Sequence, residues 1–203
     1  MKSTEFNIAT WNVQSMLQAG KMEEIAYELK KYNIQITALQ EVRWPHDCWI
    51  KKKNYTLLYS GLKASKGQHG TGFLITGWAT QCIIGFERIK ERMCKMRIKG
   101  KFYNMTFISI YAPTENENEQ NAEEVERFYN KLSDVCDKTP RNDVLILFGV
   151  FNAKIGKEYS NKRVAGRHTL HDITSENGEK LVQLAIAHNL EISSTEFQHR
   201  RIH

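Results

Sequence analysis

The chain has 203 residues, of which 41% are hydrophobic and 10% aromatic. This is enough apolar material for one globular domain over residues 1–203, and it excludes a disordered chain. The formal net charge of +6 favours a polyanionic partner such as DNA, although many basic proteins bind no nucleic acid.

Several kinds of sequence signal are missing. No apolar run is long enough to span a bilayer, and residues 1–5 lack the apolar stretch of a secretory signal. We therefore expect a soluble, intracellular protein with no membrane partner and no obligate protein partner, in nucleus or cytoplasm. The four cysteines form no CxxC pair, which argues against a zinc site or a disulfide framework: Cys48, Cys82, Cys94 and Cys136.

The first third of the chain has the pattern of a βαβ unit. Residues 6–13 have strand composition, residues 21–33 that of an amphipathic helix, and residues 34–42 that of a second strand. The helix prediction rests on apolar residues that share one face: Met22, Ile25, Ala26 and Leu29.

The middle of the chain predicts a meander of antiparallel strands. These strands are expected at residues 55–60, 72–76, 83–98 and 102–111, with glycine-rich turns such as 99–101 between them.

The last third alternates helices and strands again. We expect a helix at residues 119–138, a buried strand at 144–148, a helix at 175–188 and a strand at 191–195. Mixed sheets with helices outside them make a layered α/β sandwich, which is the predicted fold class.

Polar residues follow four of the apolar strands: Asn12, Glu41, Tyr111 and Asn152. Singly, such residues usually lie on the surface or cap a turn, but together they predict one cleft at the strand ends. Mg²⁺ prefers oxygen ligands, which Glu41 can give directly and Asn12 through its amide oxygen or a bound water. The Tyr111 hydroxyl and the Asn152 amide can stabilise a phosphoryl group that gains charge.

Three further residues are predicted to contact DNA. Arg43 and Trp44 follow Glu41 directly and fit phosphate contact or base stacking at the rim of the cleft. His69 lies in the glycine-rich segment 67–72, which precedes a strand and is therefore interpreted as a turn, not as a phosphate loop. Five lysines could touch a DNA backbone but are more readily interpreted as part of solvated loops: Lys51, Lys52, Lys53, Lys63 and Lys66. Alternating exposure along the meander explains Arg92 and Arg97 without function.

Four motifs, in order along the chain, resemble the endonuclease/exonuclease/phosphatase family: Thr10-Trp11-Asn12, Gln40-Glu41-Val42, Ile110-Tyr111-Ala112-Pro113-Thr114 and Gly149-Val150-Phe151-Asn152-Ala153. The surrounding sequence is most similar to endonuclease domains of RTE-type retrotransposons. The resemblance implies a four-layer αββα sandwich of the deoxyribonuclease I type. It also implies hydrolysis of a DNA phosphodiester that depends on Mg²⁺ or Mn²⁺.

The same resemblance assigns roles by position. It makes Asn12 and Glu41 metal-site residues and Tyr111 a phosphate contact. It makes Asn152 the group that orients water and stabilises the transition state.

The chain departs from the family pattern at position 150. The family motif is Gly-Asp-x-Asn, in which the Asp orients and deprotonates the attacking water, and this chain has Val150 there. Valine cannot accept a proton, and loss of a general base typically costs about 10²- to 10⁴-fold in rate. We therefore expect a fold that persists with its chemistry impaired, because valine is close to aspartate in size and suits a strand.

A second departure lies near the end of the sequence. Relatives carry a further Asp and an Asp-His pair, whereas the last Asp here is Asp172, and the histidines after it have no Asp before them: His188, His199 and His203. We also expect the usual closing strands to be missing, which predicts an uncovered sheet edge, reduced stability and self-association.

Three hypotheses follow from the sequence. The preferred one is an impaired, retrotransposon-derived domain that retains weak binding of metal or DNA. The alternatives are a working Mg²⁺-dependent DNA endonuclease and a family phosphatase that acts on another phosphoester.

Overall fold

The computed structural model of the chain describes residues 7–61, 68–115, 119–159 and 163–198. Lys63, Lys66, His199 and His203, which entered the sequence interpretation, lie outside the described residues. The chain divides into two compact units. We call residues 1–111 and 140–150 the sheet unit, and residues 112–139 and 151–203 the helical unit.

The first sheet of the sheet unit has five strands: β1 (Ile8–Asn12), β2 (Ile36–Gln40), β3 (Asp47–Lys51), β4 (Tyr55–Ser60) and β5 (Thr71–Thr76). They lie in the order β1-β2-β5-β4-β3. β1 and β2 are parallel and are joined through helix α1 (Lys21–Lys31), whereas the other pairs are antiparallel. The predicted βαβ opening is confirmed.

The second sheet has four strands: β6 (Ile83–Lys90), β7 (Met93–Ile98), β8 (Met105–Tyr111) and β9 (Val144–Val150). They lie in chain order, with β8 and β9 parallel and the other pairs antiparallel. A 3-10 helix at Gly77–Cys82 precedes the sheet.

Alternating side chains of the first sheet bury two separate cores. Leu57 and Leu74 pack with α1, whereas their neighbours Leu58 and Phe73 pack against the second sheet, in the same cluster as Phe107. Consecutive strand residues point to opposite faces, so a strand that is apolar throughout must be covered on both sides. The α/β sandwich predicted from the sequence is confirmed.

The helical unit contains helices α2 (Glu119–Asp137) and α3 (Glu176–Ala187) and two 3-10 turns, Lys157–Tyr159 and Ser193–Thr195. The hydroxyl of Tyr129 on α2 donates to the carbonyl of Asn177 on α3 at 3.2 Å. No helix in the described part of the chain has the length and apolar character needed to cross a membrane.

Four sequence predictions of elements were wrong in detail. The predicted strand at 191–195 is instead an isolated bridge at Ile192 followed by a 3-10 turn, in which the Thr195 hydroxyl donates to the Ile192 carbonyl. The run 83–98 is two strands joined by a turn. β3 was missed because it is short, carries a charged residue at each end and is mostly exposed. β9 is only partly buried, since it forms the end of its sheet among the described strands.

Candidate functional site

Asn12 and Glu41 are brought together by parallel pairing of their strands. Asn12 is the register partner of Gln40, so Glu41 follows directly beside it. The Asn12 side-chain amide donates to Glu41 Oε1 at 2.7 Å, and its own Oδ1 accepts from the backbone N–H of Gln14 at 3.1 Å.

The backbone that follows β2 has an unusual conformation. Glu41 and Arg43 have φ values of 56° and 60°, in the left-handed region that residues with side chains rarely adopt. The amide of Arg43 donates to the carbonyl of His69 at 2.8 Å, and Val42 donates to Gly70 at 3.1 Å. The segment before β5 therefore holds the strained turn in place, and strain held in this way is common at functional sites.

Glu41 is the ionised centre of this group. Its side chain is 13% exposed, and its Oε2 accepts from Arg43 Nη2 at 2.6 Å. Burial raises the pKa of Glu41, but hydrogen bonding with Asn12, Arg43 and Tyr111 and the positive charge of Arg43 together hold that pKa below the ordinary value of 4.5. The carboxylate is therefore charged at neutral pH.

Tyr111 lies at the end of β8 between basic and aromatic neighbours. The guanidinium of Arg92 lies 5.5 Å from the centre of the Tyr111 ring, and the ring of His69 is 6.0 Å away. Burial, followed by hydrogen bonding with Glu41, raises the pKa of the Tyr111 hydroxyl, so this group is a neutral donor. Sequence analysis gave Arg92 no role. No local sequence pattern marks Arg92, because a turn brings it next to Tyr111. The backbone amide of Tyr111 donates to the Arg92 carbonyl at 2.9 Å.

A buried polar network lies directly behind Glu41. The Gln40 amide donates to Ser109 Oγ on β8 at 3.2 Å, and Thr10 Oγ1 on β1 donates to Gln40 Oε1 at 3.1 Å. Ser109 in turn donates to the Leu39 carbonyl at 3.0 Å. These bonds tie both sheets together next to the site. Sequence reasoning missed the network, although a glutamine at the end of an apolar strand was a visible signal.

Val150 lies beside Tyr111 in the second sheet. The two residues are register partners in the parallel pair of β8 and β9, and register partners in a sheet point to the same side. The residue before it, Gly149, has a φ of 138°, and a Cβ at that position would lie 1.9 Å from the Ile110 carbonyl oxygen. The strand therefore delivers position 150 to Tyr111, with an aliphatic side chain there.

Trp44, which was predicted to contact DNA, is held by a hydrogen bond and by packing. The Trp44 indole N–H donates to the Met16 carbonyl at 2.7 Å, and its ring meets Tyr59 edge-on at 5.4 Å. These contacts anchor Trp44 by packing, and its stacking on DNA stays a prediction.

Asn152 belongs to the helical unit. It has a φ of 48°, its side-chain amide donates to the Ala112 carbonyl at 2.7 Å, and its own carbonyl accepts from Asn177 at 3.0 Å. Asn177 is fully buried and also donates to Pro113, so it joins two of the four sequence motifs. Sequence analysis did not single it out.

No family model matches the chain. Craniofacial development protein 2 of Bos taurus is 32% identical over 194 residues, which make up 96% of this chain and 32% of that protein. The AP endonuclease LMAP from Leishmania major superimposes with a TM-score of 0.64 at 10% identity, covering 91% of this chain and 67% of that one. The chain therefore has the fold of these endonuclease/exonuclease/phosphatase proteins.

A further member of this fold family is a 3′ phosphatase, NExo from Neisseria, solved with a product DNA hairpin. It has a TM-score of 0.63 at 17% identity and covers 90% of this chain and 71% of that one. The fold that the resemblance of the four motifs implies is thus confirmed. The chain spans about a third of the length of the curated relative that it matches.

The side chains around Glu41 offer few ligands for a divalent cation. The described residues contain no cluster of three or more His, Cys, Asp or Glu side chains arranged to hold a metal. The local oxygen donors are the Glu41 carboxylate and the Asn12 amide oxygen, and Arg43 places a positive charge on the same carboxylate. Mg²⁺ often takes one or two carboxylates and completes its shell with water and phosphate oxygens, so this donor set suits it as a minimal site.

Proposed function

We propose that this chain is a DNA-binding domain, derived from a retrotransposon endonuclease, whose phosphodiester hydrolysis is severely impaired. The observation that carries the proposal is Val150, which is the register partner of Tyr111, whose hydroxyl interacts with Glu41. Hydrolysis needs a group that accepts a proton from water, and an aliphatic side chain cannot do this.

Glu41, with the amide oxygen of Asn12, would hold Mg²⁺ or Mn²⁺. When bound, such a cation polarises a phosphoryl oxygen and stabilises the charge that develops on it. We expect weak binding, because a single carboxylate already engaged by Arg43 offers the cation little net charge.

The remaining site residues are proposed to bind the phosphate of DNA. The Tyr111 hydroxyl donates a hydrogen bond and the Arg92 guanidinium supplies positive charge, while Arg43 and His69 border the same strand ends. Asn152 lies in the helical unit, and its role in stabilising the transition state stays a prediction of the family resemblance; its side-chain amide keeps a hydrogen that Ala112 does not accept. The net charge of +6 and the DNA hairpin bound by the Neisseria relative support DNA as the partner.

A gain-of-function experiment tests the role of position 150. Supercoiled plasmid is incubated with Mg²⁺ and either the parent chain or Val150→Asp, and nicked product is measured over time. We expect the parent to remain near background and Val150→Asp to nick at least about 10²-fold faster, because it restores a general base.

Val144→Asp is the matched control, because it makes the same change at the other end of β9. It should stay at background. If Val150→Asp nicks no faster than Val144→Asp, the proposed role of position 150 is wrong. Nicking by the parent that disappears in Glu41→Ala would show a working endonuclease instead. Release of phosphate from a 3′-phosphorylated oligonucleotide, lost in the same variant, would indicate a phosphatase.

A further inference from the structure

The turn between β7 and β8 lies at the opposite end of the second sheet from Tyr111. Met105 opens β8 beside Ile98, and Tyr111 ends it. At about 3.4 Å per residue, the two ends of this strand are roughly 20 Å apart. Any ligand at the turn is therefore bound at a separate place from the Glu41 site.

Two large aromatic side chains of this turn point into solvent. Phe102 is 83% exposed and Tyr103 is 67% exposed. Adjacent exposed aromatic rings are unusual on a protein surface and commonly mark a binding site. They also line an open cavity of about 530 Å³, a volume within the range of ligand sites.

The surroundings of the two rings are basic. Lys101 places its Nζ 5.1 Å from the centre of the Phe102 ring, Lys99 is on the same turn, and Arg141 lines the cavity. The carboxylate that lines the cavity is Asp143, which forms two hydrogen bonds with Arg97 at 2.6 and 2.8 Å and is 2% exposed. That carboxylate is therefore neutralised, and the accessible charge is positive.

Backbone contacts within the turn and with the start of β9 hold the turn in shape. A Cβ at Gly100 would lie 1.9 Å from the Tyr103 carbonyl oxygen, so only glycine allows the chain to fold back so closely. The Asn104 carbonyl accepts from the amide of Val144 at 2.9 Å, which fixes the turn to the start of β9. A surface built in this way loses little conformational entropy when it binds a ligand.

We propose that this surface, residues 99–103 with Arg141, binds single-stranded nucleic acid. Bases stack on Phe102 and Tyr103, and the basic side chains contact the flanking phosphates. Stacking on exposed rings requires unpaired bases, because a duplex hides the faces of its bases, and aromatic rings interleaved with positive charge are characteristic of single-strand binding. The surface is independent of the impaired site proposed above.

The test measures fluorescence anisotropy of a labelled oligothymidylate with the parent chain and with the double variant Phe102→Ala, Tyr103→Ala. Stacking contributes about 1–3 kcal/mol per base, so we expect the double variant to bind at least about 10-fold more weakly. The variant Lys101→Glu, Arg141→Glu should weaken binding and flatten its dependence on salt, because fewer phosphates are neutralised.

Helix α1 offers a matched control. Tyr27 and Tyr32 are 68% and 65% exposed, and Lys31 Nζ lies 5.5 Å from the centre of the Tyr32 ring. The double variant Tyr27→Ala, Tyr32→Ala removes a comparable aromatic surface and should bind the oligonucleotide as the parent does.

A second readout does not depend on variants. An oligonucleotide substituted with 5-iodouracil should crosslink, on irradiation, to the peptide that contains Phe102 and Tyr103. Three outcomes would each refute the proposal. The α1 variant could lose as much binding as the Phe102 and Tyr103 variant, the Phe102 and Tyr103 variant could bind as the parent does, or crosslinks could be confined to peptides around Glu41. The parent could also bind a blunt duplex hairpin as tightly as the oligothymidylate, with both affinities reduced to the same extent by Phe102→Ala, Tyr103→Ala. That result would refute a single-strand site and indicate a duplex site.

Discussion

At the scale of single residues, neighbouring positions in β9 are governed by different physical demands. Gly149 is required by the backbone, since a Cβ there would collide with the Ile110 carbonyl. Val150 is compatible with the same strand, and an aspartate there would be required only by the chemistry. An exchange between aspartate and valine at position 150 therefore need not cost stability.

Gly149→Ala should destabilise the chain strongly. The φ of 138° and the 1.9 Å approach to Ile110 force the strand to move, and we expect a loss of about 2–4 kcal/mol in the free energy of unfolding. Urea unfolding followed by circular dichroism measures it.

Gly85→Ala is the control for this experiment, because nothing lies within 4 Å of a Cβ built there on β6. It should change the free energy of unfolding by less than about 1 kcal/mol. Similar losses in both variants would contradict a specific steric requirement at Gly149.

At the scale of elements, an ion pair joins β7 to the start of β9. Arg97 donates to both carboxylate oxygens of Asp143, and the Thr106 hydroxyl of β8 donates to the same carboxylate at 2.7 Å. Hydrogen bonding from Arg97, opposed by burial and supported by Thr106, holds the pKa of Asp143 below its ordinary value of 3.8. Sequence analysis had interpreted Arg97 as exposed without function.

Asp143→Asn should therefore lower stability in a pH-dependent way. Because the folded-state pKa is depressed, the stabilisation is complete above the unfolded-state pKa and is lost as pH falls through the folded-state pKa. We expect Asp143→Asn to lower the free energy of unfolding by about 1–3 kcal/mol at pH 7. This difference should shrink below pH 3.8, as measured by urea unfolding at several pH values. A difference that does not change with pH would exclude a charged pair as its source.

The sequence predicted elements best where one periodicity covered a whole segment. α1 and α2 were predicted correctly because their apolar residues recur at helical spacing and their other faces are polar. β3 has no such pattern, because it lies at the end of its sheet and leaves most of its residues in solvent. Ile192 and Thr195 have strand composition, yet only Ile192 forms a bridge and a 3-10 turn follows it.

The candidate site was predictable only where motifs marked strand ends. The pairing of Asn12 with Glu41 follows from two parallel strands that end together. Arg92 and Gln40 were not predicted, because their positions depend on how a distant turn and the second sheet approach those ends. Such long-range geometry leaves no local pattern in the sequence.

At the scale of the whole molecule, two compact units share one chain that sequence analysis treats as a single domain. The four tryptophans lie in the sheet unit, at positions 11, 44, 49 and 78, whereas α2 and α3 lie in the helical unit. The two units thus carry different spectroscopic signals.

A single domain should unfold in one transition. Tryptophan fluorescence, which reports on the sheet unit, and far-ultraviolet circular dichroism, to which α2 and α3 contribute strongly, should give coincident curves in urea. Two separate midpoints would contradict the single domain predicted from the sequence.

The close approach of the Ile110 carbonyl to Gly149 has a consequence for how such a chain changes over generations. A chain under no demand to hydrolyse a phosphodiester could vary at position 150, whereas any side chain one residue earlier would cost stability. Under the proposed function, the glycine at this strand end would therefore persist where the neighbouring catalytic group does not.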